Sequence, residues 1–225
     1  MELMLLLLMV TAGAANPQDL SGKMFTFPEE SNTASVRLFP SRKDFHALTV
    51  CLRTITDLKR NHGLFSLSSS PSHNTFLIFK PESDGIDLYV FDKKATLGGE
   101  DYKVNTWHSI CSTWDSVTGV VQLWLDNKPS IRKYVGGATI RNPVIIIGQE
   151  QDAHGGGFDT KQSFVGMMSD VHMWDYTLSA SEIRDYMEDR NPTPGNAINW
   201  KELNYTPKGR VLKEDKQLAC YKHCT

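Results

Sequence analysis

Short apolar runs separated by turn residues recur along this chain, and their spacing limits the possible folds more than any other feature. Such runs of four to six residues lie at 35–39, 47–52, 76–79, 120–125 and 144–147. Apolar runs of this length, bounded by Gly, Pro, Asn and Asp, are typical of β-strands. Turns at this frequency favour a sandwich or jelly roll over a parallel α/β sheet. The sequence therefore predicts an all-β fold.

One segment departs from the strand pattern. Ser179-Ala180-Ser181-Glu182 matches a helical capping box, and Ile183, Tyr186 and Met187 follow at the i, i+3 and i+4 positions of an apolar helix face. Asn191-Pro192 would end the helix. We predict one short α-helix near 179–189 that packs against a sheet and is too short to form a domain.

The two ends of the chain differ in composition from its middle. Leu3 to Val10 is an unbroken apolar run, shorter than the roughly 20 residues that span a bilayer, and Ala12-Gly13-Ala14 after it matches the cleavage pattern of a signal peptide. We therefore predict a signal peptide at 1–15, a secreted domain at 16–212 and a polar tail at 213–225. No other stretch has the length and apolarity of a membrane span. The net charge of −2 argues against a general nucleic-acid binder.

The cysteine count is even, which suggests pairing in an oxidising compartment. Cys51 and Cys111 lie in strand-like segments, whereas Cys220 and Cys224 lie close together in the polar tail. The simplest pairing is 51–111 and 220–224, although the tail pair could instead link two subunits. Secretion also makes the sequon at Asn204 a candidate glycosylation site.

The densest group of oxygen-bearing side chains lies in the segment 149–162. Its carboxylates and amides are Gln149, Glu150, Gln151, Asp152, Asp159 and Gln162. Calcium takes six to eight such oxygens, and the Gly155-Gly156-Gly157 run lets the backbone fold back to bring them together. Without a cation, carboxylates this close would repel one another. The segment indicates either a calcium site, though not an EF-hand, or a flexible solvated loop with ordinary surface charges.

Several motifs in order carry a family resemblance. Cys111-Ser112-Thr113-Trp114-Asp115-Ser116 fits the pattern C-x-[ST]-W-x-S, and residues 145–152 with the following glycines look like a calcium loop. Further landmarks are Phe25-Thr26-Phe27-Pro28, Thr49-Val50-Cys51-Leu52, Val171-His172-Met173-Trp174-Asp175 and Asn199-Trp200. Together they cover about 19–211, and the chain resembles a short member of the pentraxin family.

The resemblance implies an antiparallel, two-sheet, lectin-like jelly roll with a disulfide between Cys51 and Cys111. It implies two calcium ions on one face, and a homo-oligomeric ring that usually has five subunits. The implied ligand is phosphocholine or a related anionic group on microbes and damaged cells, in an acute-phase, innate immune role. The opposite face would contact complement C1q and Fc receptors. Multivalency in a ring supplies avidity even where each site is weak.

The resemblance also assigns roles to individual residues. The implied calcium ligands are Asn74, Glu150, the main-chain oxygen of Gln151, Asp152, Asp159 and Gln162. Phe79 would supply the apolar surface against which a choline methyl group packs, with a cation–π contribution.

The chain departs from the family pattern around this site. His73 stands where the family has a calcium-binding aspartate, and neutral imidazole is a poor ligand for a hard cation. Asp159 is one methylene shorter than the usual glutamate. Asp92 is a candidate for the acidic residue that faces choline, but Lys93 or Lys94 would repel a quaternary ammonium.

Two alternatives to a calcium-dependent binding protein stay open. One is a pentraxin-fold scaffold with weakened calcium and choline binding, which His73 and Lys93-Lys94 keep open. The other is a jelly-roll glycosidase, since paired carboxylates can act as acid and base. The carboxylates cluster with amides, and the sequence has no Ser-His-Asp, zinc or phosphate-loop motif, so we predict that the protein is not an enzyme. The Lys59-Arg60 pair is interpreted as a solvated turn.

Overall fold

The structure is a computed structural model that describes residues 16–98 and 101–216. The predicted signal peptide at 1–15, and both Cys220 and Cys224 with their predicted pairing, lie outside the described residues.

Strands dominate the described residues. In chain order they are β1 (Lys23–Phe27), β2 (Ser35–Leu38), β3 (Asp44–Phe45), β4 (Ala47–Ile55), β5 (His62–Ser69), β6 (Ser72–Lys80), β7 (Ile86–Val90), β8 (Lys93–Leu97), β9 (His108–Asp115), β10 (Val120–Leu125), β11 (Lys128–Pro129), β12 (Lys133–Tyr134), β13 (Ile140–Arg141), β14 (Val144–Ile147), β15 (Gly166–Trp174), β16 (Tyr205–Lys208) and β17 (Leu212–Asp215). The helix α1 (Ala180–Met187) follows β15.

The strands form two large antiparallel sheets that face each other. Sheet 1 has the order β11-β10-β9-β4-β15-β1-β17, with β12 also paired to β10. Sheet 2 has the order β16-β2-β14-β5-β6-β7-β8, and β3 and β13 form a separate two-stranded ribbon. Many neighbours in each sheet are distant in sequence, as expected for a sandwich with crossover connections. The predicted all-β, two-sheet antiparallel fold with one short helix is confirmed.

Side-chain alternation along the strands builds the core between the sheets. In β7, Ile86, Leu88 and Val90 lie in the main core cluster, whereas Asp87 and Tyr89 between them do not. This period of two is the mark of a strand with one face toward the core. Such alternation leaves the other face of sheet 2 free to carry polar side chains.

A second, smaller apolar cluster lies under α1 on the far side of sheet 1. Cys51 in β4 and Cys111 in β9 are directly opposed in the ladder and form a disulfide bond. Ile183 and Tyr186 of the helix pack over this bond. The predicted pairing of Cys51 with Cys111 is therefore confirmed. The bond ties two central strands at the point where the helix covers them.

The capping box predicted for α1 is present. Ser179 Oγ accepts a hydrogen bond from the backbone N–H of Glu182 at 3.3 Å, and the Glu182 carboxylate accepts one from the backbone N–H of Ser179 at 2.8 Å. The helix ends at Met187, four residues before Asn191, with Glu188 as its C-cap. At eight residues α1 is short, and within the described part of the chain no helix has the length and apolarity needed to cross a membrane.

The last described strand, β17, lies partly within the predicted polar tail. β17 pairs with β1 in register from Lys23–Asp215 to Thr26–Leu212. The carboxylate of Glu214 accepts a hydrogen bond from the Thr26 hydroxyl. Sheet 1 thus extends three residues into the segment that the sequence analysis assigned to the tail, because polar residues suit an exposed edge strand.

Candidate metal centre

The acidic loop that follows β14 lies directly against β5. A Cβ atom placed on Gly63 of β5 would stand 3.1 Å from Cβ of Glu150, closer than most real side-chain contacts. The absence of a side chain at Gly63 is what lets the loop approach the sheet this closely. Glu150 is consequently 3% exposed, although its side chain carries a carboxylate.

Gln151 fastens the loop to the sheet. Its amide Nε2 donates to the carbonyl oxygens of Ser66 and Val144, each at 3.1 Å, and its Oε1 accepts from the backbone N–H of Gly155 at 2.9 Å. The side chain is fully used in these contacts. They fix the backbone next to Glu150, where the main-chain oxygen of Gln151 was predicted as a ligand.

Three of the predicted calcium ligands carry a buried side-chain oxygen that lacks a hydrogen-bond partner among the described residues, and Oε1 of Gln149 at the start of the loop lacks one as well. The three ligand oxygens are Oδ1 of Asn74, Oε2 of Glu150 and Oε1 of Gln162. They come from β6, the loop after β14 and a 3-10 turn at Thr160–Gln162. A buried acceptor without a donor costs about 1–3 kcal/mol, and a hard cation relieves that cost because it binds amide and carboxylate oxygens.

The negative charge around Glu150 also favours a bound cation. Burial, followed by the negative charges of Asp152 and Asp159, raises the pKa of Glu150 to about 7. Both aspartates are exposed at the rim. Asp152 and Asp159 therefore lie near enough to Glu150 to repel its negative charge, and this repulsion is the effect that a bound divalent cation would reverse.

Asp159 has a structural role that suits its short side chain. It is the N-cap of the 3-10 turn, and its Oδ1 accepts from the backbone N–H of Lys161 at 2.9 Å. The Asp159 carbonyl accepts from the backbone N–H of Gln162 at 2.9 Å. The turn therefore holds Asp159 and Gln162 in one hydrogen-bonded unit.

Asn74 is fixed by a residue that sequence reasoning interpreted otherwise. Its backbone N–H donates to Oδ1 of Asp92 at 3.2 Å, and the backbone N–H of Asp92 donates to the Asn74 carbonyl at 3.1 Å. Asp92 lies in the β7–β8 turn with a left-handed φ of 63°, and it was considered as the acidic group facing choline. In the structure it supports Asn74. His73, the neighbour of Asn74, has an exposed side chain.

Phe79 lies one strand away from the loop. Within sheet 2 it pairs with Gly63 of β5 on one side and with Asp87 of β7 on the other, and it is 9% exposed. Lys94 Nζ lies 3.5 Å from Oδ2 of the buried Asp87. An apolar side chain thus sits between the Glu150 loop and an ion pair whose lysine is half-exposed.

The chemistry of the donor set discriminates among metals. Within the described residues, no three His, Cys, Asp or Glu side chains form a metal-binding group by themselves. The cluster instead mixes carboxylates with amides, and oxygen sets of this kind suit calcium, whereas imidazole and thiolate suit zinc or copper. The residues present therefore fit a calcium ion.

The two facing sheets define an antiparallel β-sandwich protein with an oxygen-rich loop after β14. Among solved structures, a heptameric serum amyloid P-like pentraxin from Limulus polyphemus superposes with a TM-score of 0.78 at 24% identity, covering 90% of this chain and 99% of its own. The model of the Pentaxin family matches residues 23–214.

Curated relatives agree with the family match. Serum amyloid P-component of Mus musculus is 40% identical over 197 residues, which is 86% of this chain and 87% of the relative. C-reactive protein of Rattus norvegicus is 39% identical over 221 residues, 94% of each chain. The chain belongs to the pentraxin family.

Proposed function

We propose that this protein is a secreted, calcium-dependent recognition protein of innate immunity. The observation that carries the proposal is the set of three buried oxygens, on Asn74, Glu150 and Gln162, that lack a hydrogen-bond partner among the described residues. Proteins rarely bury acceptors without a partner. Calcium would satisfy all three at once and offset the negative charge that raises the pKa of Glu150.

The proposed site holds two calcium ions per subunit. Their ligands would be Asn74, Glu150, the main-chain oxygen of Gln151, Asp152, Asp159 and Gln162. His73 would supply no oxygen where a carboxylate would bind best, which leaves one ion with weaker coordination. The open coordination positions would take an anionic group of the ligand, since calcium accepts external oxygens.

Phosphocholine or a related phosphate ester is the proposed ligand. Its phosphate would bind the calcium ions, and Phe79, one strand from the Glu150 loop, would contact the apolar part of the head group. Lys94 lies beyond Phe79, and Asp87 offsets part of its charge. A site with Lys94 at this position should therefore bind a quaternary ammonium less well than a site with an acidic residue there.

Ring assembly completes the proposal. A solved relative of the same fold is heptameric, and we propose a ring for this chain, with five subunits. Complement C1q and Fc receptors are the proposed partners of the face opposite the calcium site. One relative is a serum component by name, which fits secretion. We assign no catalytic activity, because the loop mixes its carboxylates with amides and the sequence has no Ser-His-Asp, zinc or phosphate-loop motif.

Affinity chromatography tests the proposal. The protein should bind phosphocholine-coated beads in calcium and elute with chelator, and Glu150→Gln should bind more weakly. A parallel column with phosphoethanolamine would show whether the head group matters. Retention that chelator does not change would contradict a calcium-dependent site. If calorimetry detects no calcium binding, the scaffold alternative is favoured.

The sequon at Asn204 is proposed as a glycosylation site. Asn204 is half-buried just before the edge strand β16, and Thr206 of the sequon is exposed. A loss of mass on treatment of the secreted protein with a peptide N-glycosidase, absent in Asn204→Gln, would support it. An unchanged mass would contradict it.

A further inference from the structure

The side chain of Arg60, two residues before β5, crosses to the 3-10 turn. Nη1 of Arg60 donates to the carbonyl oxygens of Lys161 at 3.0 Å and Ser163 at 2.7 Å. The same nitrogen also lies 3.0 Å from the carbonyl oxygen of Asn61. A guanidinium group suits this task because its planar fork carries several donors in fixed directions.

A carboxylate outside the turn holds the other side of the guanidinium. Nε of Arg60 donates to Oε1 of Glu30 at 2.8 Å. The Arg60 side chain is mostly covered, whereas that of Glu30 is exposed. The ion pair therefore lies at the surface, where such pairs contribute little, while the bonds to the carbonyl oxygens lie beneath it.

The two carbonyl groups belong to the residues on either side of Gln162. Oε1 of Gln162 is one of the three unpartnered buried oxygens, and Asp159 caps the same turn. A 3-10 turn of three residues has little stability of its own, so contacts from elsewhere must set its position. Arg60 supplies them from about a hundred residues away in the chain.

We propose that Arg60 is a positioning residue for the calcium site. It holds the Asp159–Gln162 turn in its metal-binding arrangement before the ion arrives, so that calcium binding does not have to order the turn. The inference rests on the proposed calcium-dependent function. Partners that orient metal ligands commonly change affinity when they are removed, by about 10- to 100-fold.

Calcium titration of the purified full-length protein tests this role. Arg60→Ala should weaken calcium binding by about 10- to 100-fold. Arg60→Lys should also weaken it, because one ammonium cannot reproduce the bonds that Nη1, Nη2 and Nε of Arg60 make to the carbonyl oxygens of Lys161 and Ser163, to Ser163 Oγ and to Glu30. The matched control is Glu30→Gln, which breaks the ion pair but keeps the bonds to the carbonyl oxygens. It should bind calcium within about threefold of the unmodified protein.

Calcium affinity separates positioning from general stabilisation. A purely structural role would lower the unfolding temperature in chelator without altering the affinity of molecules that are still folded. We therefore measure affinity well below the unfolding temperature of each variant. If Arg60→Ala does not fold, the calcium affinity of Arg60→Lys tests the positioning role instead.

The outcomes distinguish the two proposals. If the unmodified protein binds no calcium, the proposed function is wrong and the role of Arg60 fails with it. If the unmodified protein binds calcium and the folded Arg60 variants bind it equally well, the function stands and the positioning role is overturned. An equal loss in Glu30→Gln would also overturn it, because the ion pair alone would then account for the effect.

Discussion

Burial of Glu150 disfavours its ionised form, whereas the proposed function needs the ionised carboxylate to bind calcium. Glu150 is buried beside Asp152 and Asp159, and its pKa is raised from 4.5 to about 7. In the absence of metal, and between pH 4.5 and about pH 7, Glu150 is therefore protonated in the folded state and ionised in the unfolded state. Stability is lost as the pH rises through this window.

Glu150→Gln should remove this loss. In chelator, the free energy of unfolding of the variant minus that of the unmodified protein should increase between pH 5 and pH 8. The total increase should reach about 3 kcal/mol, since each pKa unit corresponds to about 1.4 kcal/mol. Urea denaturation at several pH values measures it. In calcium the order should reverse, because the unmodified protein binds the metal more tightly than the variant does. A difference that is independent of pH would show that Glu150 titrates normally.

His73 offers a gain-of-function test. The side chain is exposed beside Asn74, so His73→Asp should leave the fold intact and add a carboxylate oxygen near the site. We expect calcium to bind about threefold to tenfold more tightly, since affinity rises with the charge of the ligand set. Calorimetry measures the change, and His73→Asn controls for loss of the imidazole. Unchanged or weaker binding in His73→Asp would place this position outside the calcium site.

The sequence predicted the candidate calcium ligands, but not the residues that hold those ligands in place. The composition of the loop made Glu150 and Asp152 candidates without any coordinates. Arg60 was interpreted as a solvated turn because its partners are carbonyl oxygens 101 and 103 residues away, and every residue type carries such oxygens. Asp92 was missed as a support for the same reason, since its partner is a backbone N–H.

The strands β4 and β9 are joined covalently as well as by hydrogen bonds, because the Cys51–Cys111 disulfide reinforces an existing ladder. The bond closes a loop with a sequence separation of 60. Replacing both cysteines by alanine should lower the free energy of unfolding by about 4 kcal/mol in the chain-entropy model. Chemical denaturation measures the loss. A change below about 1 kcal/mol would mean that the ladder alone fixes these strands.

Strands with a clear apolar run could be predicted from the sequence, whereas a polar edge strand could not. β10 and β14 begin and end where the apolar runs at 120–125 and 144–147 do. Three of the four residues of β17, namely Lys213, Glu214 and Asp215, were assigned to the tail because they carry no apolar period, and only pairing with β1 makes them a strand. The helix was predicted from its capping box, but it ends at Met187 and not at the later Asn191-Pro192.

For the whole molecule, the proposed ring predicts a defined mass and an exposed contact surface. Ile131 and Tyr134, near β11 and β12, are 71% and 77% exposed, and large apolar groups at that exposure often mark contacts between proteins. The unmodified protein should sediment as five subunits, and the double variant Ile131→Glu, Tyr134→Glu should sediment as a smaller species. An unchanged mass in the variant would place the subunit contact elsewhere.

Avidity depends on that ring. The assembled protein should leave a surface dense in phosphocholine much more slowly than the smaller species formed by the Ile131→Glu, Tyr134→Glu variant, although the two proteins should have the same calcium affinity. Equal dissociation rates would show that the sites act independently.

The central claim is that calcium satisfies the buried oxygens of Asn74, Glu150 and Gln162, and a crystal structure with calcium at millimolar concentration tests it most directly. The account predicts calcium density about 2.3–2.6 Å from Oε2 of Glu150 and from the two amide oxygens, with the Asp159–Gln162 turn held by Arg60 as described. Calcium density elsewhere, or these three oxygens bonded only to water, would contradict it.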